Sequence, residues 1–173
     1  GEGPGKFLHP SRLAFSVTGE LYVSDNELHR ISVFDREGRY VRCFGEWGEG
    51  EGQFASPWRI CFTADGNLVV ADCSNHRVQI VGEDGTFVRA VGTSVHFDRP
   101  LDVSVGPDGS IAVMDSSDCV QIFDGEGRFV RSIGSKGEGA GQFEDAEGVA
   151  HGAGGEIIVC DYKRKDVQVF SGE

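Results

Sequence analysis

Short hydrophobic segments separated by polar, glycine-rich turns recur along the chain at nearly constant spacing. Four of them end in an aspartate, and these are Leu21–Asp25, Leu68–Asp72, Ile111–Asp115 and Ile157–Asp161. Their aspartates lie 47, 43 and 46 residues apart (72−25, 115−72 and 161−115). A second hydrophobic segment, at 31–34, 78–81, 120–123 and 167–170, begins five or six residues after each aspartate. Segments of this length between turn residues are typical of β-strands.

Two further segments complete most of the repeats. One precedes the aspartate segment, as at 12–15 and 59–62, and the other follows an acidic-Gly turn at 40–42, 87–89 and 129–131. We therefore predict four short strands per repeat, named a to d in order, with the fourth repeat lacking strand d. One such sheet cannot bury both of its faces, so neighbouring sheets must pack face to face. An immunoglobulin-like sandwich would not repeat its own sequence, whereas four-stranded units of roughly 40–45 residues are typical of propeller blades.

The segment between strands b and c identifies the family that the repeats resemble. The second repeat carries Asn75-His76-Arg77 there, and the first keeps His29-Arg30. Gly-x-Gly-x-Gly-x-Phe precedes strand a at 1–7, 48–54 and 137–143, whereas the third repeat departs from both patterns. The chain thus resembles the NHL repeat family. This resemblance implies an all-β propeller with blades at approximately 1–45, 46–92, 93–134 and 135–173, in a single array that covers 1–173.

Propellers of this family commonly close with six blades, whereas the sequence provides four. We therefore expect an open arc, or part of a larger propeller, in preference to a closed ring of four blades. A strand supplied by another chain is an alternative way to complete the fourth blade. An open arc exposes terminal blade faces and a sheet edge, so self-association is also expected.

Composition and charge narrow the classes of partner. The formal charge is −12, from 16 basic and 28 acidic residues, which disfavours general nucleic-acid binding and association with a membrane surface. The five cysteines show no Cys-x-x-Cys spacing, so we expect reduced thiols in a cytoplasmic protein. No residue spacing predicts a metal, a cofactor or a catalytic site.

The polarity of the strands places the b–c loops and the d–a loops on one face of the disc, here called the top face. In propellers that resemble this one, the top face generally binds the partner. The residues predicted to bind are Arg12, Trp58, Arg59, His76, Arg77, Arg99, Tyr162, Lys163 and Arg164, with Lys165 beside them. Tryptophan, tyrosine and arginine are enriched among residues that dominate binding energy.

Several of these residues also have a structural interpretation. His29, Arg30, His76 and Arg77 recur in equivalent loops, where they can bond neighbouring backbone and aspartate side chains. The four repeated aspartates are expected to fix the loops that follow strand b, because a catalytic residue would occur once. His151 aligns with Phe15, Phe62 and Val105, and is interpreted as a tolerated polar substitution on the core face or a channel-side group.

Three classes of function follow from these observations, namely a binding module, an enzyme and a structural assembly role. The leading one is a non-enzymatic scaffold that binds a protein, since the repeats resemble the C-terminal domains of tripartite-motif ubiquitin ligases. In such a ligase this array would recognise the substrate, and the catalytic RING domain would lie outside the chain. RNA binding is the alternative, through a patch around Arg59, Arg77 and Lys163–Arg164. A metal-dependent propeller lyase or lactonase is less favoured, and a purely structural assembly role is the third class.

Overall fold

The computed structural model describes residues 3–92 and 95–172. Its regular structure consists of fifteen β-strands and one short 3₁₀ helix, Cys73–Asn75. The strands are β1 Pro10–Phe15, β2 Leu21–Asp25, β3 Arg30–Phe34, β4 Tyr40–Phe44, β5 Pro57–Phe62, β6 Leu68–Asp72, β7 Arg77–Val81, β8 Phe87–Val91, β9 Pro100–Val105, β10 Ile111–Asp115, β11 Cys119–Phe123, β12 Phe129–Ile133, β13 Ala146–His151, β14 Ile157–Asp161 and β15 Asp166–Phe170. No helix in the described ranges is long and apolar enough to cross a membrane.

The strands form four antiparallel sheets in simple sequential order. The first three sheets have four strands each, β1 to β4, β5 to β8 and β9 to β12, and the fourth has β13 to β15. The first strands of consecutive sheets pack against one another, so β1, β5, β9 and β13 line the inner side of the array. Each sheet is a blade, and the blades form an open arc. The predicted all-β propeller, with three strands in its last blade, is confirmed.

The hydrophobic core is divided into three clusters, one at each junction between consecutive blades. Each cluster lies between the facing sides of two sheets and is made mostly of Val, Ile, Leu and Phe. The clusters include Tyr22 and Leu68 at the first junction, Val78 and Val103 at the second, and Met114 and Val159 at the third. Blades are therefore stabilised mainly by their neighbours, as the repeat pattern predicts.

The phenylalanine that ends the glycine-rich motif packs between neighbouring blades at two of these junctions. Phe54 and Phe143 are completely buried. A Cβ added at Gly45 would lie 2.5 Å from the Phe54 ring, and Gly45 has a φ of +88°. Both observations require glycine at this position, because the ring occupies the space of a side chain and the backbone is left-handed.

An arginine in the outer strand of each of the first three blades bonds the main chain of the next blade. The Nη2 of Arg42 donates to the carbonyl oxygen of Glu83 at 3.0 Å. Arg89 donates likewise to the carbonyl of Gly125, and Arg131 to that of Ser171 at 2.9 Å. These contacts connect consecutive blades at the outer rim, a role that the repeated Val-Arg pairs did not suggest.

Candidate functional site

The aspartate at the end of each strand b accepts hydrogen bonds from the loop that precedes strand a of the same blade. Asp25 accepts hydrogen bonds from the backbone N–H groups of Leu8, His9, Glu27 and Leu28 at 2.8 to 3.2 Å. Asp161 does the same in the fourth blade, with Glu144, Asp145, Lys163 and Arg164 as donors. All four aspartates are buried. As predicted, backbone N–H groups of the following loop donate to this carboxylate in the first, third and fourth blades.

The protonation equilibria of these aspartates differ between blades. Burial alone would raise the pKa of Asp25 and of Asp161, but the N–H donors outweigh burial and hold both values below the ordinary one. Burial raises the pKa of Asp72, against the opposing effect of Asn75, Ala55 and Arg77. The second blade therefore contains the least solvated carboxyl of these three.

The Asn-His-Arg segment is directed toward the glycine-rich loop of its own blade. Arg77 donates to Asp72 Oδ2 at 2.7 Å and to the carbonyl oxygens of Gly50 and Gln53, both at 2.8 Å. Asn75 donates to the carbonyl of Gly48 at 2.8 Å. Most of the donor capacity of Arg77 is thus satisfied inside the protein, which fits the structural interpretation of this residue.

The histidines of the b–c loops connect neighbouring blades. His76 has a φ of 51°, and its Nδ1 accepts a hydrogen bond from the backbone N–H of Arg99 at 3.2 Å. His29, with a φ of 53°, accepts from the N–H of Ser56 at 3.0 Å in the same way. Each histidine therefore supports the entry to strand a of the following blade.

Arg164 replaces Arg77 in the fourth blade from a different backbone position. Asp166 occupies the place that Arg77 has in the second blade, and Arg164 pairs with it at 2.9 Å. The Nη1 of Arg164 donates to the carbonyl of Gly139 at 3.2 Å, in the equivalent glycine-rich loop. Arg164 is consequently a loop-fixing residue as well.

Three of the predicted binding residues lie on the inner strands of the first two blades. The guanidinium carbon of Arg12 lies 5.8 Å from the centroid of the Trp58 ring, and the His9 ring is 6.5 Å from the same tryptophan. The Trp58 carbonyl accepts a hydrogen bond from Ser24 Oγ at 2.7 Å, which fixes its backbone. Arg59 follows directly in β5. We call Arg12, Trp58 and Arg59 the aromatic–arginine patch.

A buried carboxylate on the third blade borders this patch. Arg59 Nε lies 3.1 Å from Asp102 Oδ1 as an ion pair, although the angle is unsuitable for a hydrogen bond. Asp102 Oδ2 accepts from the N–H of Val149 at 2.9 Å, so this one side chain contacts the second and fourth blades. Burial raises its pKa, and Val149 and Arg59 oppose the rise. Asp102 neutralises Arg59, which leaves Arg12 as the less compensated cation of the patch.

The remaining predicted residues are exposed on other blades. Arg99, Tyr162 and Lys163 are all solvent-accessible, and Lys163 lies 4.0 Å from Glu144 across the loop. None of the described contacts joins them to Trp58. Over residues 3–92 and 95–172 no group of three or more His, Cys, Asp or Glu residues is arranged to hold a metal ion.

His151 lies between the third and fourth blades. Its ring nitrogens lie 3.0 Å from Ser104 Oγ and 3.2 Å from Ser110 Oγ. This placement agrees with the interpretation of a tolerated polar residue at a position where the first two blades have phenylalanine. Burial lowers the pKa of His151, against a smaller opposing effect of Asp108.

The lowered pKa of His151 predicts a pH-dependent stability. Below the unfolded-state pKa of about 6.5, the unfolded chain takes up a proton that the folded chain binds less well. Stability is therefore expected to fall as the pH is lowered from about 7.5 to about 5.5. Urea denaturation of the wild type and of His151→Phe at several pH values tests this. The variant should show a flatter profile in this window, and identical slopes for both proteins would contradict the assignment.

Comparison with known proteins agrees with this geometry. The NHL repeat model matches residues 7–34 and 54–81, which contain the first three strands of blades one and two. The first two repeats of this chain therefore match NHL repeats. Protein brain tumor of Drosophila melanogaster is 43% identical over 44 residues, which is 25% of this chain and 4% of that protein. The chain therefore matches a small part of that relative's length.

Solved structures similar to this array share its fold at low sequence identity. The WD40 β-propeller domain of Doa1 has a TM-score of 0.74 at 15% identity, over 95% of this chain and 51% of that one. A gluconolactonase from Xanthomonas campestris has a TM-score of 0.72 at 16% identity, over 94% and 59% of the two chains. A streptogramin B lyase has a TM-score of 0.66 at 11% identity, over 94% and 54%. The chain spans about half the length of these structures, and the similarity shows the fold alone.

Proposed function

We propose that this NHL array is a non-catalytic scaffold that binds a protein segment at the aromatic–arginine patch. The observation that carries the proposal is the Arg12 guanidinium held 5.8 Å from the Trp58 ring. Tryptophan and arginine provide large contact areas with a directed charge, and such pairs often dominate binding energy.

The surroundings of the patch specify the chemistry of the segment. The Trp58 backbone is fixed by Ser24, so little conformational freedom is lost at this backbone on binding. Asp102 compensates Arg59, whereas among the described ion pairs none includes Arg12. We infer a segment with one carboxylate for Arg12 and one apolar side chain for the Trp58 ring.

Two contexts are compatible with such a scaffold. In a ubiquitin ligase this array would select the substrate, and catalysis would belong to another domain. Single-stranded RNA is the second candidate, because a base can stack on the accessible part of a tryptophan ring beside an arginine. The charge of −12 favours the protein segment, since phosphates are repelled by an acidic body.

Replacing Trp58 by alanine is expected to abolish high-affinity binding at the patch. The test selects peptides from a random display library on the immobilised wild-type chain and then measures their affinity by anisotropy. Loss of a dominant aromatic residue weakens binding by about 2–4 kcal/mol, which is roughly 30- to 1000-fold in Kd. We expect the selected peptides to share one acidic position and one apolar position.

Trp47→Ala is the matched control for this experiment. Trp47 is 72% exposed in the d–a loop of the same blade, and its replacement should leave peptide affinity unchanged. Peptides that bind Trp58→Ala as well as the wild type would refute the patch. Binding of a fluorescent oligouridine that is tight, salt-dependent and lost in Trp58→Ala would favour RNA over protein.

A further inference from the structure

The inner strands of the four blades carry different charges at one equivalent position. Arg12, Arg59, Asp102 and Gly148 occupy it in β1, β5, β9 and β13. Two cations are thus followed by an anion and then by a residue without a side chain. The anion and its neighbouring cation form an ion pair between Asp102 and Arg59, so the two arginines of the aromatic–arginine patch differ in their electrostatic surroundings.

Main-chain donors fix the Asp102 carboxylate beside Arg59. Its Oδ2 accepts from the N–H of Val149 at 2.9 Å, and its Oδ1 accepts from the N–H of Val103 at 3.0 Å. The same Oδ1 lies 3.1 Å from Arg59 Nε, and Asp102 is 7% exposed. A ligand therefore meets a negative charge that does not move away from Arg59.

Arg59 has a compensated charge but unused hydrogen-bond donors. Its Nε is buried without a hydrogen-bond partner, and no described residue accepts a hydrogen bond from its terminal nitrogens. The side chain is 39% exposed, so the N–H groups at its end can reach a ligand. A neutral oxygen suits these donors, because a second negative charge there would be repelled by Asp102.

Arg12 offers the opposite combination. The residue is exposed, and its Nη1 donates to the carbonyl of Ser11 at 3.0 Å. No ion pair between the described residues includes Arg12. Burial raises the pKa of Asp102, and Arg59 opposes the rise more strongly than Arg12 does, so Asp102 acts mainly on Arg59. The positive charge that a ligand carboxylate meets is that of Arg12.

We propose that Asp102 is a specificity-determining residue, which cancels the charge of Arg59 so that Arg12 takes the carboxylate of the bound segment and Arg59 donates to its neutral amide carbonyls. This inference rests on the proposed function of the aromatic–arginine patch. It adds a direction, since the acidic side chain lies at the first blade and an uncharged part of the segment at the second. It also adds a selectivity, because a second acidic or a phosphorylated side chain is rejected at Arg59.

A double-mutant cycle between protein and peptide tests this division of roles. The probe is a fluorescein-labelled peptide that was selected on the wild-type chain and loses its binding in Trp58→Ala. Changing its acidic residue to the corresponding amide should weaken binding to the wild type about 10- to 100-fold, as expected for a hydrogen bond to a charged group. The change should have no effect in Arg12→Gln and its full effect in Arg59→Gln. The reverse pattern, or equal effects in both variants, would overturn the proposal.

Asp102→Asn tests the carboxylate itself. A second acidic residue is placed at each position of the probe peptide in turn. No such peptide should bind the wild type more tightly than the probe, whereas at least one should bind Asp102→Asn about tenfold more tightly. Asp98→Asn removes the same charge from an exposed site of the same blade and should behave as the wild type. A natively folded Asp102→Asn that weakens all peptides alike would show a structural role alone and overturn the proposal.

Acetate is a probe that depends neither on the selected peptides nor on the folding of Asp102→Asn. The wild-type chain is labelled with ¹⁵N-arginine, and the Nε–H resonances are assigned with Arg12→Gln and Arg59→Gln. Sodium acetate should shift the Arg12 resonance, and the Arg59 resonance should respond only as it does to sodium chloride. Equal shifts of both would overturn the proposal. The expected shifts together with failure to select any Trp58-dependent peptide would refute the proposed function and support the division of charge.

Discussion

Replacing Asp72 by alanine is expected to destabilise the protein by about 2–4 kcal/mol, because it leaves the partly buried guanidinium of Arg77 and buried N–H donors without their acceptor. Asp72 is completely buried and accepts hydrogen bonds from Ala55 N at 2.6 Å, Arg77 Nε at 2.7 Å and Asn75 Nδ2 at 2.8 Å. The substitution therefore removes the acceptor of these three donors and of Gln79 Nε2 at 3.4 Å, and the loop that enters strand a loses its support. Urea denaturation of the wild type and the variant measures the difference.

Two further variants separate charge from hydrogen bonding at this site. Asp72→Asn keeps a side-chain oxygen for the N–H of Ala55 but removes the charge that pairs with Arg77, so an intermediate loss is expected. Asp98→Ala is the matched control, because Asp98 is exposed and lies 3.7 Å from His76; exposed pairs contribute about 0–1 kcal/mol. Equal effects of Asp72→Ala and Asp98→Ala would show that the buried aspartate does not hold the loop.

The blade architecture could be predicted because the same local pattern of short hydrophobic segments and turns recurs in every blade. The four aspartate segments coincide with β2, β6, β10 and β14 residue for residue, since each strand ends where its carboxylate turns back to the preceding loop. Strand count and order followed from the same repetition. The fourth sheet with three strands was predictable for this reason.

The direction of long side chains could not be predicted in the same way. Arg77 follows His76, whose left-handed backbone turns the chain so that the guanidinium meets the carbonyls of 49, 50 and 53. Arg164 reaches an equivalent loop from two positions earlier, and no spacing rule indicates that replacement. Arg42 and its equivalents were missed because their acceptors are main-chain oxygens of another blade.

A comparison of equivalent positions in the four blades distinguishes residues that maintain the fold from residues that are candidates for binding. The strand-b aspartate occurs in all four blades and has a structural role in each. The position of Trp58 is instead occupied by Ser11, Leu101 and Glu147 in the other blades, and that of Arg59 by Arg12, Asp102 and Gly148. The Trp58 position carries a different residue type in every blade, as expected of a position that the common backbone does not fix. Trp58 is therefore the member of the aromatic–arginine patch that the repeat pattern best separates from the scaffold, whereas Arg77 and Arg164 fix loops and do not belong to the patch.

Replacing Phe143 by alanine is expected to cost about 3–5 kcal/mol, the range for a large aromatic side chain removed from a core. Phe143 is completely buried between the third and fourth blades, and its ring is 5.9 Å from that of Phe170. The fourth blade has only the third as a neighbour within the chain, so the loss should fall mainly on it. Hydrogen exchange should show faster exchange in β13 to β15 than in β5 to β8.

Phe129→Ala provides the comparison for that measurement. Phe129 belongs to the outer strand of the third blade and is 45% exposed, so its removal should cost about 1 kcal/mol. Its effect on exchange in the fourth blade should be small. If Phe143→Ala instead accelerated exchange equally in all four blades, the array would unfold as one cooperative unit. The fourth blade would then gain its stability from the whole arc, and the division of the core into independent junctions would not describe how the protein unfolds.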